Sequence, residues 1–68
     1  MTIELNGDRI ELRAGASVAE LVERTGAGGD RRGVAVALDG EIVPRSAWQE
    51  TLVSDGQKVE VVGAIQGG

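Results

Sequence analysis

The sequence predicts an α+β fold, a mixed β-sheet with one helix packed across one of its faces. Three observations predict it. Short runs of alternating apolar and polar residues are punctuated by Asn6-Gly7, Asp39-Gly40 and Asp55-Gly56, pairs that suit tight reversals. One segment, from Ser17 to Val22, has helical rather than strand spacing. The chain has 68 residues, which allows one small core and no second domain.

The elements follow in order. Ile3 and Leu5 alternate with Thr2 and Glu4, and Ile10 and Leu12 alternate with Arg9, Glu11 and Arg13. These are two half-buried strands. Asn6-Gly7 between them suits a type I′ turn, whose two central residues need positive φ. Ser17-Val18-Ala19-Glu20 reads as a capping box, with the Ser17 hydroxyl accepting from the Glu20 amide and Glu20 reaching back to the Ser17 amide. Val18, Leu21 and Val22 then form one apolar helical stripe, and Gly26 is the expected stop. A helix of two to three turns is too short to stand alone, so it must pack on the sheet.

Residues 27–33 read as a Gly-rich charged loop. Val34-Ala35-Val36-Ala37-Leu38 is a run of apolar, mostly β-favouring residues, expected to be a strand covered on more than one side. Asp39-Gly40 reverses the chain into Glu41-Ile42-Val43, and Pro44 ends that strand because it cannot donate to a ladder. Ser46-Ala47-Trp48-Gln49 repeats the capping-box pattern for a single helical turn. After Asp55-Gly56, Lys58-Val59-Glu60-Val61-Val62 is the last strand. The order β-β-α-β-β-(short helix)-β is the β-grasp, or ubiquitin-like, arrangement, with the first and last strands as parallel neighbours at the centre of the sheet. Residues 1–64 are expected to form this domain and residues 65–68 a flexible C-terminal tail.

The expected core is aliphatic: Ile3, Leu5, Ile10, Leu12, Val18, Leu21, Val22, Val36, Leu38, Ile42, Leu52, Val59 and Val61. Trp48, the single aromatic residue, is expected to close one end of it.

Composition excludes several functions. The net charge is -4, and Arg31-Arg32 is too short a basic run for nucleic acid. No apolar run approaches a membrane span, and Met1-Thr2-Ile3-Glu4 lacks the features of a signal peptide. A cytoplasmic location is therefore expected. The chain has no His and no Cys, which removes the commonest general base, the commonest nucleophile and most metal sites. The carboxylates are spread along solvated faces rather than paired. The loop Gly28-Gly29-Asp30-Arg31-Arg32-Gly33 lacks the ending and the context of a phosphate-binding loop. No metal or cofactor is expected to be bound, and the chain is not expected to be an enzyme.

The C-terminus is the remaining candidate. Gly67-Gly68 would make a thin arm, since glycine has no side chain to clash in a narrow channel and admits any backbone conformation on the way in. The Gly68 carboxylate is a poor electrophile until it is activated, for example as an acyl-adenylate.

Ile42-Val43-Pro44-Arg45-x-x-Trp48, then Asp55-Gly56, then a Val-rich strand and Gly67-Gly68 together resemble the ThiS family of sulfur carriers in thiamine biosynthesis. Val34 to Asp39 is similar to that family's third strand and turn, with Asp39 standing where members often have Asn. The likeness spans the whole chain. The diglycine alone is shared with MoaD-type molybdopterin carriers and ubiquitin-like modifiers, which remain alternatives, as does a β-grasp binding module that never uses its tail.

The resemblance implies a mechanism. A ThiF-like adenylyltransferase would adenylate Gly68 using ATP and Mg²⁺. A cysteine desulfurase relay would supply sulfur, leaving a thiocarboxylate. A ThiG-like thiazole synthase would accept that sulfur. Gly68 is then the attachment site and Ile65, Gln66 and Gly67 are its tail. Ile42, Arg45, Val59, Glu60 and Val62 are the candidate partner contacts, with Glu60 contributing charge complementarity.

Overall fold

The computed structural model describes residues 1–25 and 33–63. The strands are β1 (Thr2–Leu5), β2 (Asp8–Glu11), β3 (Val34–Leu38), β4 (Glu41–Val43) and β5 (Lys58–Gly63). One α-helix, α1 (Val18–Arg24), and a 3-10 turn, Arg45–Ala47, complete the order. The sheet runs β2-β1-β5-β3-β4, with β1 and β5 parallel and the other pairs antiparallel. This is the β-grasp arrangement, and β5 is its central strand. The expected tail at residues 65–68 and the loop at residues 26–32, including the predicted helix stop Gly26, lie outside the described residues.

Local chemistry explains the elements. Asn6 and Gly7 have φ of 50° and 89°, and Asp39 and Gly40 have φ of 48° and 87°. Both pairs match the type I′ pattern, whose twist suits a β-hairpin. Ser17 caps α1 by accepting from the Glu20 amide at 3.2 Å. The reciprocal half of the expected box gives way to another contact, because both Glu20 carboxylate oxygens accept from Arg13, at 2.7 and 3.0 Å. The helix ends at Arg24, with Thr25 as its C-cap.

The second expected capping box is overturned. Pro44, not Ser46, stands at the N-cap position of the 3-10 turn, and no side chain caps it. Proline's fixed φ, here -64°, already sets the entry to that turn, so the turn begins two residues early.

Ile3, Leu12, Ala16, Val18, Leu21, Val22, Val36, Trp48, Val53, Val59 and Val61 form one buried cluster. Leu5, Ile10 and Leu38 are half-buried against it. Trp48 is buried as expected, and its indole N–H donates to the Val43 carbonyl at 3.0 Å. Two expected core residues face outward: Ile42 is 70% exposed and Leu52 58%. Strand alternation is the reason. Val43 pairs with the buried Val36, which turns Ile42 to the opposite face. Leu52 forms an isolated bridge with Ser17, and its neighbours Val53 and Ala16 take the inward positions. β3 is also covered on one face only, since Ala35 is exposed on the other.

Candidate functional site

The site is built around β5, the strand that leads toward Gly67-Gly68. Both of its flanks are held by backbone ladders and by one turn residue each. On the β1 side, the Glu4 amide donates to the Gln57 carbonyl at 3.0 Å and the Asn6 amide to the Val59 carbonyl at 2.9 Å. β1 ends at Leu5. One step further along β5, the side chain of Asn6 takes over. Its Oδ1 accepts from the Val61 amide at 2.9 Å, and its Nδ2 donates to the Val61 carbonyl at 3.2 Å. A primary amide can do this because it offers a donor and an acceptor together.

At the start of β5, Asp39 does related work from the β3 side. Its backbone amide donates to the Lys58 carbonyl at 2.8 Å, and its carboxylate accepts from the Lys58 amide at 3.0 Å. Here the backbone supplies the donor, so a carboxylate suffices and Asp serves as well as Asn.

The face of the sheet opposite α1 carries three of the candidate contacts. Ala37 pairs with Ile42 on one side and Glu60 on the other, and Ala35 pairs with Val62. Paired residues point to the same face, so Ile42, Glu60 and Val62 stand together around two alanines. Ile42 and Val62 are 70% and 60% exposed. Small alanines between them leave the two large side chains proud of the surface. Arg45 is exposed just beyond Pro44.

Val59 is a correction to the candidate list. It is fully buried in the core and packs beneath the sheet, so its side chain is not available to a partner. Gly68, Gly67, Gln66 and Ile65 lie outside the described residues. Asn6 is the residue that sequence reasoning missed as more than a turn former. The signal was its identity: Asp and Gly also suit the turn, but only Asn among them can pair with a backbone amide and carbonyl at once.

Among the described residues, no group of three Asp or Glu side chains is placed to hold a metal ion. Among the same residues, no helix is long and apolar enough to cross a membrane. Two depressions, of about 410 and 470 Å³, are open to solvent. The first is lined by Thr2, Ile3, Glu4, Arg9, Asp55 and Gly56, the second by Asp39, Gly40, Lys58 and Glu60. Neither gathers a nucleophile with a base. The hydrogen bond from Arg13 holds the Glu20 carboxyl below its ordinary value and raises the Arg13 guanidinium in turn. That pair joins the segment before α1 to its first turn, away from the open sheet face.

Comparison with known proteins agrees with this geometry. The model of the ThiS family matches residues 2–68. The sulfur carrier protein ThiS of Escherichia coli is 36% identical over 70 aligned positions, covering 100% of both chains. A thiazole synthase of Paramagnetospirillum magneticum is 38% identical over all of this chain, which spans 20% of that protein's length. The crystal structure of ThiS from Geobacter metallireducens superposes with a TM-score of 0.80 at 30% identity, covering 100% of both chains. By family match, full-length relatives and fold, this chain belongs to the ThiS family, the sulfur carriers of thiamine biosynthesis.

Proposed function

We propose that the Gly68 carboxylate is where this chain carries sulfur, and that the sulfur is delivered to a thiazole synthase. The observation that carries the reading is the position of β5. A strand held on both flanks at the centre of the sheet is followed by five residues, 64–68, ending in Gly67-Gly68. Five residues reach at most roughly 17 Å when fully extended. That length is enough for a carboxylate to enter a partner's active site, and the last two residues add no side-chain bulk.

The chemistry belongs to partners, since this chain has no His or Cys. In a ThiF-like adenylyltransferase, a Gly68 carboxylate oxygen attacks the α-phosphorus of Mg²⁺-bound ATP. A C–O–P linkage forms, the bond to the β-phosphate breaks, and pyrophosphate leaves. The terminal sulfur of a persulfide from a cysteine desulfurase relay then attacks the acyl carbon, AMP departs with the bonding electron pair, and a pair of thiols reduces the resulting acyl disulfide, becoming a disulfide as the S–S bond breaks. The product is a thiocarboxylate, with one carboxylate oxygen retained in AMP. Free sulfide in place of the relay displaces AMP directly and needs no reductant.

The open sheet face supplies the docking surface in this reading. Ile42 and Val62 are the apolar anchors, Glu60 between them meets a basic side chain of the partner, and Arg45 adds a contact at the rim. The likeness to a segment of a thiazole synthase supports that enzyme as the acceptor, since a carrier joined to its acceptor acts at high effective concentration.

Removal of Gly68 in the native host tests the reading. The shortened chain folds but leaves cells dependent on added thiamine. Thiamine-independent growth with the shortened chain would overturn the proposal.

A further inference from the structure

We propose that Asn6 is a positioning residue for the working end of this carrier: its side-chain amide, in place of further β1 backbone, holds β5 at Val61 and so fixes the strand end from which the chain continues to Gly68. The inference deepens the proposed function and rests on it for the catalytic readout.

Three observations carry it. First, β1 stops at Leu5, opposite Val59, two residues short of Val61. Beyond that point, the Asn6 side chain supplies both hydrogen bonds to Val61 on this flank. Second, the opposite flank is paired further, with Ala35 opposite Val62 and Val34 opposite Gly63. Without the amide, the last turn-ward residues of β5 would hang from β3 alone and could swing about that ladder. Third, the turn does not itself require Asn. Asp39 occupies the equivalent position of the other hairpin with nearly the same φ, so the choice of an amide at residue 6 answers to Val61.

Val61 is also where the root of the arm meets the docking face. It is buried, whereas the next residue, Val62, is 60% exposed on that face. Holding Val61 on both flanks keeps the Ile42–Val62 surface and the root of the arm in one rigid body. Docking that surface then fixes the end of β5 at Gly63, from which the chain continues to Gly68. Loss of the amide leaves Val62 paired with Ala35, in the same ladder that places Ile42 beside Ala37, and loosens the end of β5 on the β1 flank. Misplacement of a reacting group by about 1 Å costs up to roughly a hundredfold in rate.

Two variants test this. Asn6→Gly keeps the positive φ of the turn and deletes both hydrogen bonds. Asn6→Asp also suits the turn and keeps an acceptor, but sets a second oxygen against the Val61 carbonyl. Amide hydrogen exchange is followed at Val61 and at the core residue Val36. Loading is followed with a ThiF-like adenylyltransferase, ATP and sulfide, varying the carrier concentration. Asn6→Gly raises Val61 exchange roughly tenfold or more relative to Val36, whereas Asn6→Asp keeps the acceptor of the Val61 amide and raises it less. In both variants the loading kcat falls roughly tenfold, with KM for the carrier held within about twofold.

A merely structural role gives a different pattern. Partial unfolding lowers the concentration of competent carrier, which raises KM and leaves kcat unchanged. That split, or unchanged Val61 exchange in Asn6→Gly, overturns the proposal. So does wild-type loading by Asn6→Asp, because the amide donor would then be dispensable. If the wild-type chain itself takes no sulfur, the carrier reading fails. The exchange measurement still decides whether Asn6 fixes the strand end: faster exchange at Val61 supports it and unchanged exchange overturns it.

Discussion

The indole N–H of Trp48 donates to the carbonyl of Val43 at 3.0 Å, while the ring around it is 2% exposed. One side chain thus closes the core and anchors the end of the edge strand β4. Trp48→Phe keeps an aromatic lid and leaves the Val43 carbonyl without its donor. The expected loss is about 1–3 kcal/mol, read from the urea midpoint by far-UV circular dichroism. An unchanged midpoint would mean that water replaces the indole at no cost.

The burial of Val59 separates stability from docking. Val59→Ala removes two buried methyl groups and is expected to cost about 1–3 kcal/mol. That is a large share of the stability of a domain this size, roughly 3–10 kcal/mol. The loading kcat of the folded fraction stays at the wild-type value. A stable Val59→Ala protein with impaired docking would contradict the core assignment.

Ile42 and Val62 behave in the opposite way. Ile42→Glu and Val62→Glu alter stability by no more than about 0.5 kcal/mol, because both side chains already face solvent. Each raises the loading KM for the carrier roughly tenfold. Leu52→Glu is the control, since Leu52 is equally exposed but lies on the Ser17 bridge rather than the open sheet face. It leaves KM unchanged. Equal effects from all three substitutions would argue against a defined docking face.

The Arg13–Glu20 pair gives stability a pH signature. Glu20 titrates below its ordinary value of 4.5 because Arg13 donates to its carboxylate. A lowered folded-state value means that the contribution is present above about pH 4.5 and fades as pH falls through the lowered value. Both side chains are substantially exposed, so the effect is small and screened by salt. Wild type and Arg13→Gln therefore differ in urea midpoint at pH 7 and low salt, and the difference shrinks at pH 3 or in high salt. A constant difference would assign the effect of Arg13 to packing instead.

Gly67→Val probes the arm. A branched side chain narrows the accessible backbone conformations and adds bulk. The expected result is a folded domain with an unchanged urea midpoint whose loading is abolished. Normal loading kinetics would contradict the need for a thin arm in a narrow channel.

Much of the fold was legible because local chemistry and global arrangement agree. Asn6-Gly7 and Asp39-Gly40 name their own turns, Ser17 names the start of α1, and Pro44 names the end of β4. The facing of short strands was harder to read. Glu41-Ile42-Val43 offers two adjacent β-branched residues, and only the register against Val36 and Ala37 decides which points inward. Leu52-Val53 poses the same problem, settled by the bridge to Ser17. The Ser46 to Gln49 pattern misled because Pro44 acts two residues earlier. Asn6 was legible as a turn residue, whereas its grip on Val61 joins positions 55 apart. No local pattern encodes that distance. The open-face grouping of Ile42, Glu60 and Val62 likewise required strand order, although each residue was named from sequence.

The most direct test of the account is the mass of the C-terminal residue after loading. The protein is incubated with a ThiF-like adenylyltransferase, Mg²⁺-ATP and sulfide, then measured intact and fragmented. The account predicts replacement of one oxygen by sulfur, dependent on ATP and localised to Gly68. No mass change with an adenylyltransferase shown to load another ThiS carrier, or sulfur found elsewhere in the chain, would contradict it.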